Sequence, residues 1–324
     1  MAGIADMAVV ELWRGDLPES VHRVHAVVAD ATGEPVALWG DPGRIIYPRS
    51  SCKMVQALPL VLSGADLSSE RLALACASHQ GTPMHVARVA DWLADLGLSE
   101  ADLLCGAHWP TDRESAHALL RAGARPGPLH NNCSGKHAGF LHLARHLGAG
   151  PDYVAPDHPV QRAVRAAFEE ATGEPSPGWG IDGCSAPNFA TTLRGLARAM
   201  AGFAAPGPGR EGEARARLVG AMIAHPELVA GEGRACTDLM RAAQGRAAVK
   251  TGAEGVFVGI LPGRGLGFAL KAEDGATRAA EAVTAALLVR LGVLEAADPV
   301  AQRLTSGIQH NWRGLPAARL VTRL

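Results

Sequence analysis

Only four of the chain's 31 cationic side chains are lysine: Lys53, Lys136, Lys250 and Lys271. Arginine never gives up its proton in a protein, whereas a lysine amine does when it is desolvated or set beside another cation. Lys53 closes a Ser-x-x-Lys in "YPRSSCK", with Ser50 three positions earlier. On a helix that spacing puts hydroxyl and amine on one face, close enough for the amine to take the hydroxyl proton. Serine is a poor nucleophile without such a base. Ser51 would face elsewhere, which makes Ser50 the candidate nucleophile. Alone, the motif is common by chance and reads rather as a helix cap, Ser50, with Lys53 pointing to water.

Lys250 lies in "VKTGAEG", directly before an expected hairpin. A Lys-Thr-Gly on a strand, far downstream of Ser-x-x-Lys, is the pairing of penicillin-recognising serine enzymes. Lys136 lies in "HNNCSGKHAGF", where Ser134 or the Asn pair could cap a helix and place Cys133 and Lys136 on one face of its first turn. "GWGIDGCSAPNF" puts Asp182 and Cys184 in a tight, glycine-rich loop. Two cysteines with nitrogen or oxygen partners could hold zinc, but the spacing matches no standard zinc pattern and by itself reads as buried free thiols. Lys271 follows a strand and reads as a solvated edge residue.

The elements that must carry these groups alternate in type. Residues 8–47 read as β structure, with "RVHAVVAD" and "PVALWGD" flanking the turn "ATGE". "RLALACAS" is too short and apolar for periodicity to decide between strand and helix. Helical spacing runs through "MHVARVADWLADLG", "KHAGFLHLARHLG", "HPVQRAVRAAFEEATG" and "FATTLRGLARAMAGF". "AAPGPGREGE" (204–213) reads as a loop, followed by a helix near 212–224. "VFVGILPGRGLGFALKAEDG" reads as a hairpin, and "ATRAAEAVTAALLVRLG" as a closing helix. The expected fold is α/β (α+β) in one catalytic unit over 1–324. An antiparallel-sheet lobe forms from about 1–65 and 245–324, and a mostly helical lobe spans about 66–244.

With a net charge of −1 and no basic face, the chain offers nothing to nucleic acid. No apolar run reaches membrane-spanning length. The start lacks a cationic, then apolar leader, and the six cysteines have no secretory context, so a cytoplasmic protein with free thiols is expected.

Taken together, "YPRSSCK", "ASHQGTPMH", "NNCSGKHAGF", "GIDGCSAP" and "VKTGAEGVF" resemble the rhizobial-type (class 3) L-asparaginases over essentially the whole chain, in the family's order. The resemblance implies a fold similar to serine β-lactamases and serine-dependent glutaminases, a homodimer, and hydrolysis of L-asparagine to L-aspartate and ammonia. It implies two catalytic Ser–Lys pairs, Ser50–Lys53 and Ser78–Lys250. It further implies a zinc site of Cys133, Lys136 and Cys184 with Asp182 as a neighbouring carboxylate, and so reverses the reading from spacing alone. A ligating amine must be neutral, which no arginine can supply. Arg49 and His137 are then expected to bind or orient the substrate. The competing readings are a glutaminase or β-lactam-reactive hydrolase of the same fold, and a zinc-stabilised amino-acid-binding or redox-sensing protein without turnover.

Overall fold

The computed structural model describes residues 6–324. The expectation of a leader-free start falls in part on residues 1–5, which lie outside the described residues. Along the chain run β1 (Ala8–Arg14), β2 (Leu17–Ala29), β3 (Pro35–Trp39) and β4 (Ile45–Ile46), then a 3-10 turn over Arg49–Cys52. Helices α1 (Lys53–Leu62), α2 (Ser69–Ala75), α3 (Pro83–Asp95), α4 (Arg113–Arg121), α5 (Ser134–His146) and α6 (Pro159–Thr172) follow. Next come β5 (Trp179–Ile181), β6 (Pro187–Phe189), β7 (Thr191–Thr192), α7 (Leu193–Ala204), α8 (Gly209–Ala224), α9 (Pro226–Val229) and α10 (Ala235–Ala243). The chain closes with β8 (Ala248–Thr251), β9 (Val256–Leu261), β10 (Leu266–Ala272), α11 (Thr277–Arg290), α12 (Pro299–Ser306), β11 (Ile308–His310) and β12 (Pro316–Arg323).

These elements form two compact units. One holds residues 6–51, Thr191–Ala205 and Asp238–Leu324; the other holds Cys52–Ala190 and Pro206–Thr237. The first is built on an eight-stranded antiparallel sheet in the order β11-β12-β1-β2-β10-β9-β8, with β3 also paired to β2. The β2–β3 and β9–β10 hairpins form as expected, Val27 facing Leu38 and Ala269 facing Val258. Every residue of β9 is buried, as befits a strand covered on both faces.

The second unit is mostly helical. The first five residues of "RLALACAS" lie in α2, its start capped by the Ser68 hydroxyl accepting from Arg71 N–H, and Cys76–Ser78 leave the helix. Helix α1 is buried on nearly every side, from Met54 through Val61, and so is a core helix rather than an amphipathic surface one.

Four local expectations need correction. Residues 209–213 are the first turns of α8 rather than loop, because the extended backbone at Pro208 already sets a helix start. Phe189, Thr191 and Thr192 are strand, and α7 begins only where the Thr192 hydroxyl accepts from Gly195 N–H. Helix α11 is not the last element: α12, β11 and β12 follow it, and β12 pairs with β1. Lys271 is not an edge residue, since β10 lies between β2 and β9; its half-buried amine donates to Glu254 O at 2.7 Å.

Candidate active site

In the sheet unit the Ser50 turn and the Lys-Thr-Gly strand meet. Arg49 takes a left-handed φ of 53°, an uncommon choice for a side chain with a Cβ, and the turn runs straight to the start of α1. Ser51 is buried and its hydroxyl donates to Pro48 O at 2.7 Å, which commits it to the turn and leaves Ser50, half-buried, as the chemically available neighbour. Gly252 lies against this turn: a Cβ there would stand 2.6 Å from Pro48 O and 3.3 Å from Ser51 Cβ. Only glycine permits so close an approach. It brings β8, with Lys250, onto the turn that carries Ser50. Lys250 is wholly buried and donates to Thr251 O at 2.8 Å.

In the helical unit the other seven expected residues converge. Lys53, the first residue of α1, has no exposed surface. Its Nζ donates to Ser78 Oγ at 3.0 Å, to Cys133 Sγ at 3.1 Å, and to Ala77 O. An ammonium has three protons to donate, and here each has a partner. Burying that amine would otherwise cost several kcal/mol. The neutral amine would instead have a lone pair free to accept the Ser78 proton. Ser78 follows α2, where its N–H donates to Val229 O at 2.8 Å and holds the loop in place.

Cys133 caps α5 without using its own side chain, and Asn131 Oδ1 takes the Cys133 N–H at 2.9 Å. Gly135 lets α5 start against α2, because a Cβ there would meet Leu74 O at 2.4 Å. Cys133 and Lys136 do share the face expected of them: Lys136 Nζ donates to Cys184 Sγ at 3.0 Å, and the Cys133 thiol hydrogen-bonds the same sulfur. Cys184 sits in the turn between β5 and β6, with Ile181 opposite Pro187 and Ser185 at a left-handed φ of 71°. Asp182 closes the turn by accepting Gly183 N–H at 2.8 Å, and its Oδ2 lies 3.8 Å from Cys184 Sγ.

The two thiols share one proton unequally. The hydrogen bond from Cys133, together with the Lys136 charge, brings the Cys184 thiol down to about 5 against the effect of burial. The same bond, with burial, pushes Cys133 up to about 12. Burial pulls the Lys136 amine down, yet the Cys184 and Cys133 sulfurs and Asp182 more than offset it and hold the amine above the ordinary lysine range.

The donor types suit zinc: two sulfurs and one nitrogen joined by hydrogen bonds at Cys184, with a carboxylate nearby. Among the described residues no group of three His, Cys, Asp or Glu is poised for a metal, so the fit depends on the lysine amine as third donor. Zinc would have to displace the Lys136 proton, as metals do at titrating ligands.

Several neighbours escape sequence reasoning. His79 is fully buried, and burial with the nearby His85 ring, stacked at 4.7 Å, keeps it neutral. Its Nδ1 accepts Gly81 N–H at 3.1 Å, so Nε2 donates to Ser134 Oγ at 2.9 Å, tying the Ser78 loop to the start of α5. Cys105 and Cys52 are buried near the same groups, burial pushing each thiol up to about 12. Tyr153 is fully buried too, its Oη 2.9 Å from Nδ1 of the expected residue His137. All six cysteines are unbridged. "ASHQG" already held His79; nothing in sequence links Tyr153 to His137.

Residues 10–322 match the family model described as L-asparaginase II. No curated protein matches the chain. Solved structures are similar at low identity. Mglu in its native form is 15% identical with a TM-score of 0.46, over 86% of this chain and 66% of that one. In its tris and glutamate form it is 14% identical with a TM-score of 0.47, over 84% and 60%. This chain therefore spans less than two thirds of the Mglu length. A β-lactamase from Mycobacterium bovis is 16% identical with a TM-score of 0.44, over 84% of this chain and 95% of that one. Among the described residues no helix is long and apolar enough to cross a membrane.

Proposed function

The chain belongs to the L-asparaginase II family, and on that premise we propose that it hydrolyses the side-chain amide of L-asparagine to give L-aspartate and ammonia. The single observation that carries this reading is the family match across nearly the whole chain. The buried amine chemistry gives it a mechanism. Ser50, relieved of its proton by a neutral Lys53, attacks the amide carbon; the C–N bond breaks and ammonia leaves with a proton returned by the base. Water, activated in the same way, then adds to the β-aspartyl ester and releases aspartate and the serine. Ser78 and Lys250 pass protons and stabilise the developing negative charge. Arg49, His137 and Asp182 orient the substrate. Cys133, Lys136 and Cys184 would hold zinc, which when bound supplies fixed positive charge for orientation or stiffens the start of α5.

A second assignment has its own support. The Lys53–Ser78 hydrogen bond at 3.0 Å favours Ser78 as the nucleophile that Lys53 activates, with Ser50 and Lys250 as the relay. The overall reaction is the same.

The test is ammonia release from L-asparagine and, in parallel, L-glutamine by the purified protein, with and without a chelator. Release from asparagine in preference to glutamine is expected. Excluding one extra methylene is worth roughly 1–3 kcal/mol, or about 10–200-fold in kcat/KM. Preference for glutamine would make it a glutaminase, and asparagine binding without ammonia release would make it a binding protein.

A further inference from the structure

Tyr153 is one of only two tyrosines in the chain and has no exposed surface. It precedes α6 and reaches back to the first turn of α5. Its Oη accepts Leu104 N–H at 2.7 Å and stands 2.9 Å from His137 Nδ1, the two rings meeting edge to face at 5.4 Å. Phe140 packs on both rings.

The protons can be counted. Burial keeps the phenol protonated. Its one proton therefore needs an acceptor, and among the described residues only His137 Nδ1 stands within reach besides the Leu104 N–H, which is itself a donor. If Oη–H donates to Nδ1, the ring carries its own proton on Nε2. In the opposite tautomer Nδ1–H would donate to Oη. The phenol proton and the Nε2 lone pair would then both lack a protein partner in a buried place, two orphaned groups where the first arrangement leaves one. That one is Nε2 itself, buried with no protein partner among the described residues. The charged and thiol groups that act on the ring, Lys136, Cys133, Lys53 and Asp182, are those of the candidate site.

We propose that Tyr153 is a positioning residue that fixes His137 as its Nε2–H tautomer, so that His137 can act toward a substrate only as a donor and takes the α-carboxylate of asparagine rather than its α-ammonium group. This rests on the asparaginase reading for the substrate, though not for the tautomer. A donor for a carboxylate oxygen relieves the unpartnered Nε2–H on binding and fixes the end of the substrate remote from the reacting amide.

The experiment uses the full chain labelled with nitrogen-15 histidine, with His137 assigned by the signals lost in His137→Gln. Long-range nitrogen–proton spectra of the free wild type should show His137 as the Nε2–H tautomer. In Tyr153→Phe, which keeps the ring packing, that ring should become a mixture of tautomers. KM for asparagine should rise about tenfold with kcat changed less than about threefold, the loss of one charge-assisted hydrogen bond made in ground and transition states alike. An Nδ1–H tautomer in the wild type overturns the proposal without any variant having to fold. An unchanged tautomer and KM in a folded Tyr153→Phe overturns it too. Absence of ammonia release by the wild type would instead fail the substrate assignment, while the tautomer signals still decide the part played by Tyr153.

Discussion

At the scale of single residues, the chain's economy in lysine made the chemistry visible. Lys53, Lys136 and Lys250 are buried, two of them with no exposed surface and Lys136 nearly so, where an arginine would carry a permanent charge. The prediction belongs to Lys53. Lys53→Met keeps the length of the side chain and removes the proposed base. It should lower kcat by about 10²–10⁴-fold with KM little changed. It should also destabilise the fold by about 1–3 kcal/mol, because Ala77 O loses its donor. Steady-state kinetics and thermal melting check both. For Lys136, an exchange to arginine preserves charge but cannot give a lone pair, so metal analysis should find zinc lost in Lys136→Arg and retained in Lys136→His. Tyrosine is scarcer still than lysine, two residues against four, yet Tyr153 was not legible. A phenol is satisfied by any nearby acceptor, and its partners, Leu104 and His137, are set by tertiary packing that spacing does not encode.

At the scale of elements, two close approaches of backbone place the reactive groups. Gly135 brings the first turn of α5 onto α2, and Gly252 brings the end of β8 onto the Ser50 turn. In each case the atom that an added methyl would strike is a backbone carbonyl, which cannot swing aside as a side chain would. Gly135→Ala and Gly252→Ala should therefore each cost about 1–3 kcal/mol in thermal or denaturant unfolding. Both should also lose activity out of proportion to that figure at temperatures where they remain folded. Helices with clear apolar periodicity, α3 and α6, were legible because one face meets the core at 3.6-residue spacing. The strands β11 and β12 were not. Residues 308–323 mix arginine with exposed apolar side chains such as Ile308 and Leu315, and pairing with β1 and β11 makes β12 a strand.

At the scale of the whole molecule, the candidate residues divide between the two units. Arg49, Ser50 and Lys250 belong to the sheet unit, and Lys53, Ser78, Cys133, Lys136, His137, Asp182 and Cys184 to the helical one. The chain crosses from one to the other between Ser51 and Cys52, inside the Ser-x-x-Lys motif itself. The sequence placed that crossing later, at about residue 65. It also gave no sign that β7 and α7, within the central helical stretch, join the sheet unit. Zinc removal is a whole-molecule experiment. A ligand that binds only the folded state at a thousand times its Kd stabilises by about 4 kcal/mol. Stripping zinc from the protein should thus lower its melting temperature by several degrees, reversibly on adding the metal back. An unchanged melting temperature with zinc demonstrably removed would contradict a structural part for the ion.

The most direct test of the account is turnover by Ser50→Ala. Ammonia release from asparagine by wild type and variant would be compared at matched zinc content and matched melting temperature. The account predicts that the wild type releases ammonia and the variant does not, down to the limit of detection. Undiminished release by Ser50→Ala would contradict it and give the nucleophile's place to Ser78.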